Sequence, residues 1–355
     1  MRESFIYKGT IPRIVFGAGT ITRVADELNN LGRHKALILS TPNQEADART
    51  LANRLGTLCV GVFSGAVMHT PVEVTLQALQ VFADTRADCI ISLGGGSTIG
   101  LGKAIAYKNN ADQLVVATTY AGSEVTPILG QTEAGIKTTV RDLSVLPETV
   151  VYDPELTYSL PVNMTMTSGL NAIAHAVEGL YAQDRNPISS MMAMDGIAAL
   201  HRALPAIAGD HQNPAARSDA LYGSWLCGVV LGNVGMALHH KMCHTLGGSF
   251  DLPHAETHAI LLPHTVAYTE ATVPHLLEPV AALMGSESAA TGLFDFARTI
   301  GAPSKLQDLG LTVRDLDKAT EIALRNPYWN PRPLETVAIR EMLQKAFEGA
   351  RPRQR

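Results

Sequence analysis

The stretch "HHKMCHTLGGSFDLPHAETHAILLPH", residues 239–264, holds six of the chain's twelve histidines. Imidazole binds transition metals as a neutral ligand and moves protons near neutral pH. His240 and His244 are four apart, which on a helix puts them on one face. Upstream, Asn171 and His175 in "SGLNAIAHAVEG" repeat that spacing, and His254 follows ten residues after His244, past Gly247-Gly248 and Pro253. A lone helical histidine is usually a hydrogen-bonded core residue. Two i, i+4 pairs plus a fifth polar group point instead to a site, either a metal centre or an acid–base cluster.

A second candidate site is rich in glycine. The apolar run "CIISL" leads into "GGGSTIGLGKAIA", residues 94–106, which reads as a helix. Glycine lets backbone approach a phosphate closely, and a helix N-terminus offers unpaired N–H groups and partial positive charge. Gly95, Gly96 and Ser97 can therefore seat a pyrophosphate. The spacing is not G-x-G-x-x-G: Ile99 stands where the third glycine would be and glycine returns at Gly100, so the common Rossmann fingerprint is absent. After the next strand comes "ATTYAGSEVTP", residues 117–127, whose Thr118, Thr119 and Ser123 hydroxyls suit a nucleotide. Thr41 follows the run "KALILS" where NAD-specific enzymes carry a carboxylate for the ribose 2′-hydroxyl, and Pro42, Asn43 and Gln44 supply no such charge. The expectation is loose choice between NADH and NADPH, with Thr41, Asn43 and, further on, Lys137 among the residues touching the cofactor.

Elements must hold these residues in place. From residue 35 to about 117, β-rich runs ("KALILS", "LCVGVF", "ADCIISL", "QLVVAT") alternate with helical stretches near Glu45 to Leu55 and Val72 to Asp84. Such alternation, with near-continuous apolar strands, predicts a doubly wound, mainly parallel α/β sheet with helices on both faces. After "VVYDPELTYSLP" the strands stop, and Ala-, Leu- and Met-rich stretches such as "MTMTSGLNAIAHAVEGLYA" and "ARSDALYGSWLCGVVLG" have helical spacing and length. The expected organisation is a dinucleotide-binding α/β domain over residues 1–160 and an all-α domain over 161–355 that carries the histidine cluster. At 355 residues the chain also exceeds what one hydrophobic core usually supports.

Bulk properties narrow the partners. A formal charge of −5 gives no basic field for nucleic acid, so small molecules are expected instead. Cys59, Cys89, Cys227 and Cys243 lie far apart with no C-x-x-C pair, as in a protein of the reducing cytoplasm. The N-terminus lacks the apolar core of a signal peptide, and no apolar run approaches the ~20 residues that span a bilayer, so no membrane partner is expected.

Together the motifs resemble the iron-containing (group III) alcohol dehydrogenase family, whose members carry GGGS in an N-terminal α/β domain, then D-x-x-x-H and H-x-x-x-H-x(9)-H in a helical C-terminal domain. The resemblance runs from "VFGAG" (residues 15–19) through the glycine loop and "VVYDPELT" to the histidines, nearly the whole chain. Within the family, "GGGSTIGLGKAIA", "TTYAGSE", "SGLNAIAHAVE", "HHKMCHTLGG" and "NPYWNPRP" are most similar to the maleylacetate reductase subgroup. This implies an oxidoreductase, commonly dimeric, with its active site in the cleft between the domains. It would use NADH or NADPH to reduce the C=C bond of maleylacetate to 3-oxoadipate in aromatic-compound degradation. One position departs from the metal-using members: Asn171 stands where they have an aspartate ligand. Divalent metal sites depend on deprotonated or strongly basic ligands, so no metal is expected.

The implied reduction passes through an enolate, whose spread charge can be held by hydrogen-bond donors, whereas an alkoxide gains more from a Lewis acid. His240, His244 and His254 are accordingly expected as a donor cluster with one of them the general acid, and His175 as their catalytic neighbour. The small dicarboxylate substrate calls for cations. Lys241 and Arg325 are candidates, Arg332 a weaker one, and Asn171 and Tyr120 complete the substrate-binding set. Competing readings are a metal-dependent alcohol dehydrogenase of the same family, a dehydroquinate synthase-type lyase and a non-catalytic nucleotide sensor. Asn171 counts against the first two, and the dense histidine cluster against the third.

Overall fold

The computed structural model describes residues 4–133 and 136–352. They group into two compact units: residues 10–160, and the residues from 161 onward together with the N-terminal segment up to Gly9. Residues 4–9 thus sort with the helices rather than with the sheet.

The first unit holds eight strands among the described residues: β1 (Arg13–Phe16), β2 (Ala36–Leu39), β3 (Cys59–Phe63), β4 (Cys89–Gly94), β5 (Asp112–Ala117), β6 (Ile128–Glu133), β7 (Ile136–Arg141) and β8 (Thr149–Tyr152). Its helices are α1 (Val24–Asn30), α2 (Glu45–Leu55), α3 (Val72–Asp84) and α4 (Gly96–Asn109). Six strands form one sheet in the order β1-β8-β5-β4-β2-β3, every neighbouring pair parallel. Its central strands are mainly apolar because both faces are covered. Ile38 and Ile91 pack with Val24 and Leu28 of α1 and Leu51 of α2, while Leu37, Leu39 and Ile90 pack with Ala78 of α3 and with Leu101 and Ile105 of α4. This is the doubly wound sheet that the sequence predicts. The register pairs Gly94 with Ala117 and Leu39 with Ser92, so the chain leaves β2, β4 and β5 at one shared, C-terminal edge. Gly95 and Thr118 follow directly, and Thr41 comes one residue later, after Ser40.

The antiparallel ribbon β6–β7 was not foreseen. Its segments "ILGQTE" and "IKTTVR" mix polar with apolar residues, a weaker signal than the continuous buried runs of the main sheet.

The second unit is helical: α5 (Val162–Leu180), α6 (Pro187–Gly209), α7 (Pro214–Asn233), α8 (Leu238–Phe250), α9 (His254–Glu270), α10 (Pro274–Leu283), α11 (Ala289–Thr299), α12 (Val313–Arg325) and α13 (Thr336–Glu348). Most of α5 is buried on all sides, as expected of a central helix. Helices α6 and α7 cross with backbones in near contact. A Cβ on Gly223 would lie 2.8 Å from the Gly196 carbonyl oxygen, so glycine is required there. Leu238, Met242 and Leu246 of α8 and Ile260 and Leu261 of α9 share a core with Leu316 of α12 and Leu343 of α13, which fixes the two histidine-bearing helices. Among the described residues no single helix is long and apolar enough to cross a membrane; α7 and α8 pass that test only together, bent by 95°.

Candidate active site

Strand β4 ends at Gly94 with φ +150°, a conformation open to glycine. A Cβ there would lie 2.6 Å from Thr98 Oγ1 and 2.9 Å from Gln44 Oε1, and a Cβ on Gly95 2.6 Å from Thr119 Cγ2. At Gly96, the first residue of α4, nothing lies within 4 Å of that point. The loop is therefore packed tightly at Gly94 and Gly95 and open at Gly96. No side chain caps α4, which leaves its first N–H groups to an incoming phosphate. Gln44 Nε2 donates to Thr118 Oγ1 at 3.0 Å and the Thr118 N–H donates to the Gly94 carbonyl at 3.1 Å, so the loops after β2, β4 and β5 are tied together. Thr41 Oγ1 is 3.4 Å from Gln44 Oε1, Asn43 is exposed, and Ser97 and Thr119 are half-buried.

Ser123 offers its backbone rather than its hydroxyl in one notable contact: its carbonyl accepts from Lys103 Nζ at 2.6 Å, as do those of Thr126 at 2.7 Å and Ile128 at 2.9 Å. Lys103 is buried, and desolvation pushes its pKa down to about 7. It anchors the segment after β5 to α4. Gln44 and Lys103 are supports that sequence reasoning passed over. Lys137 lies on β7 opposite Thr132, and its side chain is outside the described residues. Taken together, the loop fits a phosphate-bearing nucleotide.

In the helical unit, Asn171, His175 and Glu178 share one face of α5. Glu178 sits at the start of α8, where its carboxylate accepts from the Ala237 N–H at 2.9 Å, the His239 N–H at 2.6 Å and His240 Nδ1 at 2.6 Å. A helix N-terminus favours such negative charge. Burial opposes ionisation of Glu178, but the hydrogen bonds it accepts, that from His240 foremost, outweigh it and hold the pKa below the usual glutamate range. One ring nitrogen from each of His175, His240 and His258 lies within 4.8 Å of the other two. Desolvation first, then neighbouring histidines, hold His175 and His258 well below the ordinary histidine pKa, and desolvation takes His239 down to about 3. These three rings are neutral at physiological pH.

The sequence candidates divide on this frame. His175 and His240 are buried and belong to the cluster, and Asn171, one turn before His175 on α5, is buried too. His254 opens α9 and its ring centroid is 4.3 Å from that of His258, one turn on, which sequence reasoning missed. His244 is half-buried, with Nδ1 3.0 Å from the Tyr328 hydroxyl. Lys241 Nζ stands 5.6 Å from the centroid of the same tyrosine ring. Two substrate-binding expectations need correcting. Arg325 is exposed and pairs with Glu321 one turn away, a surface contact. Tyr120 is fully buried, with none of its ring exposed to solvent. Arg332 is engaged as well, 4.0 Å from the Tyr268 ring centroid and donating to the Tyr268 carbonyl.

Four ligand-type atoms, Asn171 Oδ1, His175 Nδ1, His240 Nε2 and His258 Nε2, are buried without a hydrogen-bond partner. Native proteins rarely leave such atoms unpaired, so the group calls for a shared occupant. A neutral His240 gives its one ring hydrogen to Glu178 and turns a lone pair on Nε2 inward; it accepts there, rather than donating as the sequence reading expected. Three imidazoles are a ligand set that zinc uses, and a carboxylate behind a ligating histidine is its usual support. The set fits a divalent cation. The expectation of a metal-free pocket thus has no support in this geometry: Asn171 removes one anion, and Glu178 supplies another through His240.

Residues 12–154 match the family described as "Iron-containing alcohol dehydrogenase", and residues 165–347 match "Fe-containing alcohol dehydrogenase family, C-terminal". The chain is 61% identical to the maleylacetate reductase of Rhizobium sp. (strain MTP-10005), over 99% of each chain. It is 51% identical to the maleylacetate reductase of Burkholderia cepacia, again over 99% of each. The crystal structure of maleylacetate reductase from Agrobacterium tumefaciens matches with a TM-score of 0.96 at 61% identity, covering 99% of this chain and 100% of that one. With one family match on the sheet unit and the other on the helical unit, the chain belongs to the iron-containing alcohol dehydrogenase family.

Proposed function

We propose that this protein reduces the C=C bond of maleylacetate with NADH or NADPH, giving 3-oxoadipate, a step in the breakdown of aromatic compounds. Relatives at 61% and 51% identity carry that activity in their names over full length. The observation in this chain that favours a dicarboxylate over a simple alcohol is Lys241. Among the described residues no carboxylate acts on its half-buried side chain, and desolvation alone lowers its pKa. A substrate carboxylate is the charge-assisted partner it lacks. Lys241 and His244 both meet Tyr328, so a carboxylate held by Lys241 brings the rest of the substrate beside His244.

Reduction adds a hydride to the carbon β to the ketone and a proton to the α carbon, with an enolate between. The glycine loop would hold the reduced nicotinamide cofactor, which would supply the hydride. His175, His240 and His258 would hold a divalent cation, which would supply electrophilic pull on the ketone oxygen. His244 is the proton donor in this reading: it is half-buried rather than sealed, and its contact with the Tyr328 hydroxyl offers a route for replacing the proton. Absorbance of the reduced nicotinamide tests the assignment. Rapid consumption with maleylacetate and no formation from butanol with oxidised cofactor is expected. The reverse pattern would make the chain an ordinary alcohol dehydrogenase of its family.

A further inference from the structure

We infer that Thr265 and His239 are positioning residues that fix the tautomer of His258 and so make its Nε2 a lone-pair ligand of the histidine cluster. The inference rests on reading His175, His240 and His258 as the working cluster. Thr265, His239 and His258 all fall outside the D-x-x-x-H and H-x-x-x-H-x(9)-H patterns.

Thr265, His239 and His258 form one hydrogen-bonded row inside the helical unit. His258 Nδ1 lies 3.0 Å from His239 Nε2, and His239 Nδ1 lies 3.1 Å from Thr265 Oγ1. All three residues are fully buried. A neutral imidazole carries one N–H, so every contact in the row sets a donor against an acceptor, and the direction at one end fixes the other. That end is Thr265. Its single hydroxyl hydrogen has the Leu261 carbonyl at 3.0 Å and the Leu262 carbonyl at 3.1 Å, the usual back-bond of a helical threonine. With its hydrogen donated to a carbonyl, Thr265 Oγ1 accepts from His239 Nδ1–H. His239 Nε2 is then bare and accepts from His258 Nδ1–H. Cys243 Sγ, 3.6 Å from His239 Nε2, adds at most a weak second donor to that same lone pair.

The consequence falls on His258 Nε2. It keeps a lone pair, it is buried, and it has no hydrogen-bond partner. A ring nitrogen needs that lone pair to ligate a metal ion. The neighbouring ligand is set in the same way by a different group, since Glu178 takes the Nδ1 hydrogen of His240 and leaves Nε2 bare. Two separate relays, one ending on a carboxylate and one on a helix carbonyl, turn acceptors into one cluster.

Nitrogen NMR of the metal-free protein with labelled histidine reads the tautomers directly. His239 and His258 are expected as Nδ1–H, and an Nε2–H at His258 would overturn the proposal. Thr265→Val keeps the branched shape but leaves His239 Nδ1 facing a methyl group, so the row reverses and His258 becomes Nε2–H. Cobalt affinity, measured by titration, should then fall by roughly 10- to 100-fold, the usual effect of losing an outer partner of a ligating histidine. Thr265→Ser should restore both the tautomer and the affinity. A Thr265→Val protein with the original tautomer and undiminished cobalt affinity would defeat the idea. Neither measurement uses maleylacetate, so failure of the substrate assignment gives a different and separate result.

Discussion

Lys241 is the residue on which the substrate assignment turns, because burial disfavours its charge and, among the described residues, no carboxylate answers it. Lys241→Ala should raise the KM for maleylacetate roughly 10- to 150-fold, the equivalent of losing one charged hydrogen bond of about 1.5 to 3 kcal/mol. The KM for the nicotinamide should stay where it was, and steady-state kinetics with each substrate varied in turn will show whether the effect is confined to the carboxylate side. Much of this site is legible in the sequence. Asn171 with His175, and His240 with His244, declare themselves by i, i+4 spacing. His258 carried the same signal, four residues after His254, yet it lies outside the family's motif and reads in isolation as a core histidine. Glu178 was harder to see. It follows His175 by three residues on α5, but its partner is the N-terminus of α8, and no one-dimensional pattern shows which carboxylate will meet which helix end. Arg325 shows the opposite error, a charge beside a motif that proves to be a solvated one-turn pair worth little.

At the scale of elements, the edge formed by the ends of β2, β4 and β5 governs cofactor choice. The turn after β2 runs through Pro42, Asn43 and Gln44, and Gln44 is occupied with Thr118. The first carboxylate beyond it, Glu45, pairs with Arg49 one turn along α2. Among the described residues, the turn after β2 offers no uncommitted negative charge to favour a ribose 2′-hydroxyl or repel a 2′-phosphate. NADH and NADPH should therefore both support turnover. Specificity constants that differ by more than about a thousandfold, beyond ~4 kcal/mol of discrimination, would contradict this. The strands of this edge were legible because burial on both faces writes continuous apolar runs, as in "CIISL" and "LVVA". The ribbon β6–β7 was not, because mixed polar and apolar residues do not separate a strand from a loop without its partner.

The whole molecule carries a formal charge of −5, so its long-range field does not draw in a dicarboxylate. Attraction has to be local, which again places weight on a single half-buried lysine beside the histidines. Nor does the shared fold decide the chemistry, since one architecture supports different reactions when the residues lining its site change. What this account claims for the molecule is a choice of bond: hydride goes to the carbon β to the ketone, and the ketone itself survives. Turnover of maleylacetate with nicotinamide deuterated at the transferred position, followed by NMR or mass spectrometry of the product, reads that choice directly. The expected product is 3-oxoadipate with deuterium on the carbon β to the intact ketone. Deuterium on a newly formed carbinol carbon, with the C=C bond retained, would contradict the account and show a carbonyl reductase instead.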